Sequence, residues 1–462
     1  MTENLKRLTA GFSLAFALIG LALGYWGVVR GPELLAREDN PRAVVAEQQI
    51  RRGAILAHDG AVLATGLAGE RQYPKPAFAP VVGYYSIRYG SDGVEAAYDA
   101  ALRGDAFMAP GDLELNGLLH REQVGGDVRL TIDPAIQVAA MQALEGRAGA
   151  IVAVSVPEGD VLALASAPTY DPNHIDADWE SLVENPASPL LNRATQGLYQ
   201  PGAAFQVVML GAAYNAQIAG MDEPWPGDPT MPVGNVMLPC AGEPGEIVRV
   251  VDAFLWGCPA PFMLLAEAMG AHRLEQTLDD FGFLEGDDFA LPTQHTEGPL
   301  ALNEATLDDI AIGQGDLLVS PIQMARIAVA MASDGVMPPL RLVEAVRPPS
   351  GMWQVVTPDG CSRAIISRDS AEAVAAAMSE SVSSGAAQAA AIPNESVHGH
   401  AGLAVAGGGT LNAWFIGFLD DAAIVVLLEN EASAAPAAEI GGRILALVSD
   451  RRGAERPSVI AP

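Results

Sequence analysis

Residues 8–29 run for 22 positions without a charge, just after Lys6 and Arg7. An apolar run of that length spans a bilayer as one helix. It is too long for the apolar core of a cleaved signal peptide, and no small-x-small cleavage site follows it. Gly24, Tyr25, Trp26 and Gly27 fit an interfacial end. Beyond this anchor the pattern changes to short apolar runs separated by turn residues. Two short strands are expected around His58-Asp59-Gly60. A strand from Val128 ends at Asp133-Pro134, an N-cap with proline at the first helical position, and a helix runs on to about Leu144. Residues 148–156 and 160–167 read as two strands of a hairpin around Pro157-Glu158-Gly159. A loop turns at Pro201-Gly202 and enters an apolar helix from Phe205 to about Gln217. Ser320-Pro321 opens an alanine-rich helix that stops before Asp334-Gly335. Residues 413–418 and 424–430 form strands across Asp420-Asp421, and 436–448 a last amphipathic helix.

Composition narrows the functional classes. The chain has 462 residues, half of them hydrophobic, which suits two or three folded domains rather than disorder. Against 26 basic residues stand 56 acidic ones, a formal charge of −30. Such a chain repels nucleic acid, so no nucleic-acid partner is expected. The only lysines are Lys6 and Lys75. Chemistry that needs a lysine base beyond residue 75 therefore cannot run. Cys240, Cys258 and Cys361 have no zinc or redox spacing. Cys240 and Cys258 are available for a disulfide if this region lies outside the cytoplasm, but sequence alone does not place their Cα atoms.

Several stretches carry a resemblance. Asn192-Arg193-Ala194, Tyr199, Pro201-Gly202-Ala203 and Phe205-Gln206 are similar to the nucleophile segment of penicillin-binding proteins, N-R-A-x-x-x-x-Y-x-P-G-S-x-F-K. Residues 52–64 resemble the R-G-x-I-x-D-R-x-G-x-x-L-A segment of the class B proteins, with Ala57 and His58 in place of Asp and Arg. Gly93, Glu95, Tyr98, Leu102 and Gly104 are similar to G-x-E-x-x-Y-x-x-x-L-x-G. Ser166 to Asn173 matches S-x-P-x-Y-D-P-N. Ile312-Gly313-Gln314-Gly315 and Ser320-Pro321-Ile322-Gln323 resemble I-G-Q-G and S-P-x-Q. The chain is identified as a member of the class B penicillin-binding proteins, of the actinobacterial type. The resemblance implies an α/β fold: a β-lactamase/transpeptidase-like domain, mainly antiparallel sheet with helices on both faces, plus an N-terminal pedestal and one transmembrane helix. The expected division is a cytoplasmic tail over 1–7, the anchor over 8–29, a non-catalytic pedestal over 30–125 with a linker over 104–126, and the transpeptidase-like domain over 126–462.

A serine acyl-transferase of this family joins three motifs. S-x-x-K puts hydroxyl and amine on one helical face. S-x-N relays protons, and K-T-G on an edge strand binds the substrate carboxylate. Here the nucleophile position is Ala203 and the lysine position Gln206. In residues 253–262, aligned with A-F-x-x-S-C-N-x-x-F, the serine becomes Gly257 and the asparagine Pro259. In the third motif the lysine becomes His400, the hydroxyl residues Ala401 and Leu403, and Gly402 alone is kept. Losing a nucleophile alone costs about 10⁶ in rate in a serine hydrolase. Cys258 occupies a position that faces away in the family, so thiol chemistry is not expected. His398 and His400, two apart on a strand, fit a solvated or capped pair better than a metal site.

No catalytic residue, cofactor or metal is therefore expected. The expectation is a small-residue cleft with an edge near Gly402 that a peptide strand could join. The resemblance implies a scaffold or regulator of peptidoglycan synthesis, at the cell membrane by a single pass, with its large domain on the extracytoplasmic side. It also implies pairing with a polytopic peptidoglycan glycosyltransferase. Gly20 and Gly24, with Ala17 and Ala22, suit close helix packing there. The alternatives are an active transpeptidase using non-standard residues, and a sensor that binds muropeptide or β-lactam without a covalent bond.

Overall fold

The first helix, α1 (Thr2–Gly24), continues into a π-helical turn, Tyr25–Val29. This structure is a computed structural model, and it describes residues 2–30, 45, 47–109, 122–218, 227–245, 249–286, 289–298, 300–358 and 360–455. Every residue of Leu5–Gly24 is exposed, and the segment is long and apolar enough to cross a membrane. The segment expected as a tail is already helical from Thr2, because Asn4, Lys6 and Arg7 do not break a helix. The expected linker falls partly on residues 110–121, outside the described residues.

The expected hairpin at His58-Asp59-Gly60 forms from Ile55–Leu56 and Val62–Ala64. Its sheet is not confined to the pedestal. Ile55–Leu56 pairs in parallel with Asp127–Leu130, which pairs with Val343–Arg347, which pairs with Gln354–Val355. Segments from before residue 65 and after residue 342 thus share one five-stranded sheet. Beside it lies a buried ion cluster. Arg52 Nη2 donates to Glu95 Oε2 at 2.9 Å and Arg52 Nη1 to Asp99 at 2.6 Å; Arg71 Nε reaches Glu95 Oε1 at 2.6 Å. The Arg52 and Glu95 side chains are 0% exposed.

The second sheet is antiparallel throughout. Its strands are β1 (Gly149–Ser155), β2 (Val161–Ala167), β3 (His398–Val405), β4 (Leu411–Leu419) and β5 (Ala422–Leu428), in the order β3-β4-β5-β1-β2. Alternate side chains enter two different cores. Trp414, Ile416, Val425 and Val152 pack with the helix Pro321–Ala332 on one face. Phe415, Ile424, Val426 and Ile151 pack with the helices Pro134–Ala143 and Ala435–Glu455 on the other. Burial on both faces explains why these strands read as continuous apolar runs. The helix Pro134–Ala143 starts as expected: the Asp133 carboxylate accepts from the Ala135 and Ile136 amides at 2.8 and 3.2 Å.

Candidate functional site

A 3₁₀ turn, Gly202–Phe205, leads into the helix Gln206–Asn215, so the loop-to-helix frame forms where the sequence places it. The residues before it hold that frame to the sheet. Asn192 donates to the Pro80 carbonyl at 2.7 Å. Arg193 donates to Glu429 at 2.8 Å and to the carbonyls of Ser188 and Ala187. Tyr199 gives its hydroxyl proton to the same Glu429 at 2.7 Å, and Trp414 Nε1 donates to the Gln200 carbonyl at 3.1 Å. Asn192, Arg193, Tyr199 and Gln200 thus each have a structural partner. Burial and the Glu429 carboxylate push the Tyr199 hydroxyl pKa well up, so it stays protonated.

Ala203, Gln206, Gly257, Pro259, His400, Ala401 and Gly402 are all brought together, and all are buried. They pack directly against one another. His400 Nε2 donates to the Ala203 carbonyl at 3.0 Å, and its ring stacks on Phe254 at 4.2 Å between centroids. Gln206 Nε2 donates to the Cys258 carbonyl at 2.9 Å. Gly257 has φ +60°, and a Cβ there would lie 2.7 Å from the Ala401 carbonyl oxygen. A serine at that position would therefore be strained and would clash. A Cβ on Gly402 would lie 2.7 Å from the Ala204 nitrogen and 2.9 Å from the Ala203 Cβ. The small residues do not leave a space; they let strand β3 close onto the 3₁₀ turn. At Gly402 the strand has Ala203 and Ala204 packed directly against it.

A second element helps to close the site, and sequence reasoning missed it. A hairpin of Met231–Val233 and Val236–Leu238 lies against β3. Leu238 is buried in one cluster with Ala401, Leu403 and Val405, with Met231, Val233 and Val236 packed against it. Its signal was Gly234-Asn235 between two short apolar runs. Cys240, just after the hairpin, is disulfide-bonded to Cys258 of the middle motif. Cys258 accordingly has no thiol to offer. Among the described residues no group of three or more His, Cys, Asp or Glu is arranged to hold a metal ion. An open cavity of about 520 Å³ lies beside the frame, lined by Arg193, Tyr199, Gln200, Asn412 and Glu429 among others. None of the motif positions lines it.

Burial pushes the His400 imidazole down to about 4, against a smaller opposite pull from its bond to Ala203. Its Nδ1 is buried without a hydrogen-bond partner among the described residues. The folded state thus favours the neutral ring, whereas the unfolded chain titrates near 6.5. Stability from this residue is complete above pH 6.5 and is lost as pH falls toward 4. The full loss is on the order of 3 kcal/mol, with about 2 kcal/mol of it gone by pH 5. A His400→Leu variant is expected to lack this component when unfolding free energies at pH 7.5 and pH 5 are compared. Equal pH dependence in the two proteins would show that His400 is not held neutral.

Residues 149–446, well over half of the chain, match the penicillin binding protein transpeptidase domain. The chain belongs to the penicillin-binding protein transpeptidase family. Residues 52–128 match the penicillin binding protein A dimerisation domain, which covers most of the pedestal of this penicillin-binding protein. It is 33% identical to the peptidoglycan D,D-transpeptidase PbpA of Mycolicibacterium smegmatis over 79% of this chain and 80% of that one. It is 31% identical to PbpA of Mycobacterium tuberculosis over 94% of each. Among solved structures, the imipenem acyl-enzyme complex of penicillin-binding protein A from M. tuberculosis superposes with a TM-score of 0.78 at 31% identity. That match covers 87% of this chain and 99% of that one. The D,D-transpeptidase domain of a peptidoglycan glycosyltransferase from Eggerthella lenta gives 0.77 at 29% identity, over 88% and 100%. These likenesses place the chain among the class B proteins of the actinobacterial type.

Proposed function

We propose that this penicillin-binding protein is a catalytically inactive member of its family that acts as a scaffold or regulator in peptidoglycan synthesis. One observation carries the reading. The nucleophile position is an alanine whose carbonyl is bonded to the residue at the third motif's lysine position, inside a closed core. No hydroxyl, amine or thiol stands at any of the three motifs, and every motif position is buried. In this reading α1 anchors the chain by a single pass, with the large domain on the extracytoplasmic side. A disulfide beside the motifs supports that side. The partners are cell-wall synthesis proteins, with a polytopic peptidoglycan glycosyltransferase met through α1 and the pedestal. The division at residue 125 separates the pedestal from the part that kept the family's frame.

A second reading rests on the relatives, which are named as D,D-transpeptidases, and on the solved acyl-enzyme complex. In it the chain acylates through residues outside the three motifs, or binds muropeptide or β-lactam without a covalent bond. Membranes containing the chain are incubated with a fluorescent penicillin and resolved by denaturing electrophoresis. The expected result is no labelled band at this mass, beside a labelled band from an intact relative. A stable adduct on this chain would overturn the inactive reading. A rise in melting temperature with penicillin but no adduct would favour the non-covalent sensor.

A further inference from the structure

None of the three motifs contributes to the open cavity of about 520 Å³ beside the nucleophile frame. Its walls come from the frame loop between Ser188 and Gln200, the turn and strand start between Ala406 and Asn412, Glu429-Asn430 just past β5, and Leu318. The one ion pair in these walls is internal. Arg193, only 5% exposed, donates from Nε to Glu429 and from its terminal nitrogens to the Ser188 and Ala187 carbonyls. Arg193 and Glu429 are the charged lining residues, so the walls carry no net charge. A charged ligand finds no unmatched counter-charge there.

The walls do hold unmatched hydrogen-bonding groups. Asn412 is only 6% exposed. Its Oδ1 accepts from the Asn430 backbone N–H at 3.1 Å, which fixes the orientation of the amide. The other end, Nδ2, has no partner among the described residues, and Asn412 lines the cavity. A nearly buried donor is costly unless something in the cavity meets it. Glu429 supplies an acceptor: Oε1 takes both Arg193 and Tyr199, and Oε2 has no partner among the described residues. Gln200 gives Nε2 to the Gly315 carbonyl at 3.1 Å and keeps Oε1 free. The Gln196 side chain makes no bond among the described residues. Leu191, Leu198 and Leu318 add apolar surface to the same cavity.

Free donors and acceptors in a neutral recess, beside apolar side chains, match an uncharged ligand whose own groups both donate and accept. A hydroxyl does both, and an acetamido group has one donor, one acceptor and a methyl. We propose that this cavity binds an uncharged N-acetylated sugar, with Asn412 Nδ2 as a fixed donor and Glu429 Oε2 as a fixed acceptor. The volume has room for a sugar ring and its acetamido group. A peptide also brings amides, but fewer hydrogen-bonding groups for its volume than a sugar. The site lies outside the acyl-transfer motifs, so penicillin labelling of the chain neither supports nor overturns it.

Saturation-transfer NMR on the full chain tests the site, in a detergent without a sugar headgroup. The probes are N-acetylglucosamine and, as an uncharged peptide, N-acetyl-alanyl-alanine amide. The expected result is saturable transfer to the sugar, including its acetyl methyl, and no saturable transfer to the peptide. Asn412→Asp keeps the acceptor for Asn430 and removes the free donor, so sugar binding should weaken about tenfold. Gln196→Ala removes a partly exposed, unbonded amide and should weaken binding several-fold at an unchanged melting temperature. If Asn412→Asp does not fold, Gln196→Ala carries the comparison. No saturable transfer to the sugar, sugar binding that neither variant weakens, or tighter binding of the peptide would overturn the proposal.

Discussion

A Glu95→Gln variant is expected to lose about 3–5 kcal/mol of unfolding free energy, because it breaks a buried ion cluster from its centre. Glu95 is the shared carboxylate: one oxygen accepts from Arg52 and the other from Arg71. Its side chain and that of Arg52 are wholly buried, so water cannot take over either charge. With the carboxylate gone, Arg52 keeps Asp99, which is 40% exposed, and the Glu95 backbone carbonyl, while Arg71 keeps the Gly53 carbonyl. Urea denaturation of the detergent-solubilised chain would measure the change. A double-mutant cycle with Arg52→Ala and Glu95→Ala should return a coupling of more than about 1 kcal/mol. A loss below that figure would mean that the cluster is replaceable packing rather than a centre of pedestal stability.

Gly202→Ala has a comparable expected effect for a different reason. Gly202 sits at φ +52°, and a Cβ there would fall 2.2 Å from the Leu403 carbonyl oxygen and 2.6 Å from the Ala404 Cα. Neither atom can give easily, since β3 is paired with β4 at every residue from His398 to Val405. Strain and overlap together should exceed about 4 kcal/mol, enough to lower the melting temperature sharply or to prevent accumulation. Ala203→Gly, one residue on, removes a methyl without adding an overlap and should be far milder. If Gly202→Ala melts like the parent chain, strand β3 is free to move off the 3₁₀ turn. The site would then open, and the inactive reading would lose its geometric support.

Much of this architecture was legible in the sequence, for identifiable reasons. Asp133-Pro134 marks a helix start with local chemistry, and Pro157-Glu158-Gly159 separates two apolar runs long enough to be strands. The frame from Asn192 to Phe205 was legible because Asn192, Arg193 and Tyr199 each make a specific bond to a distant part of the chain. Three things were not. The pairing of Ile55 with Val128, and of that strand with Val343–Arg347, is set by contacts far apart in the chain. The hairpin over β3 is short, and its role depends on what it covers. The closure of the site turns on distances between backbones. Alanine and glycine at the motif positions read as emptied space, whereas in three dimensions they permit contact that larger residues would forbid.

The shared five-stranded sheet has a mechanical meaning. The pedestal is stitched to the rest by ladders of backbone hydrogen bonds on both sides of Asp127–Leu130. A partner gripping the pedestal therefore loads those ladders directly instead of turning a swivel.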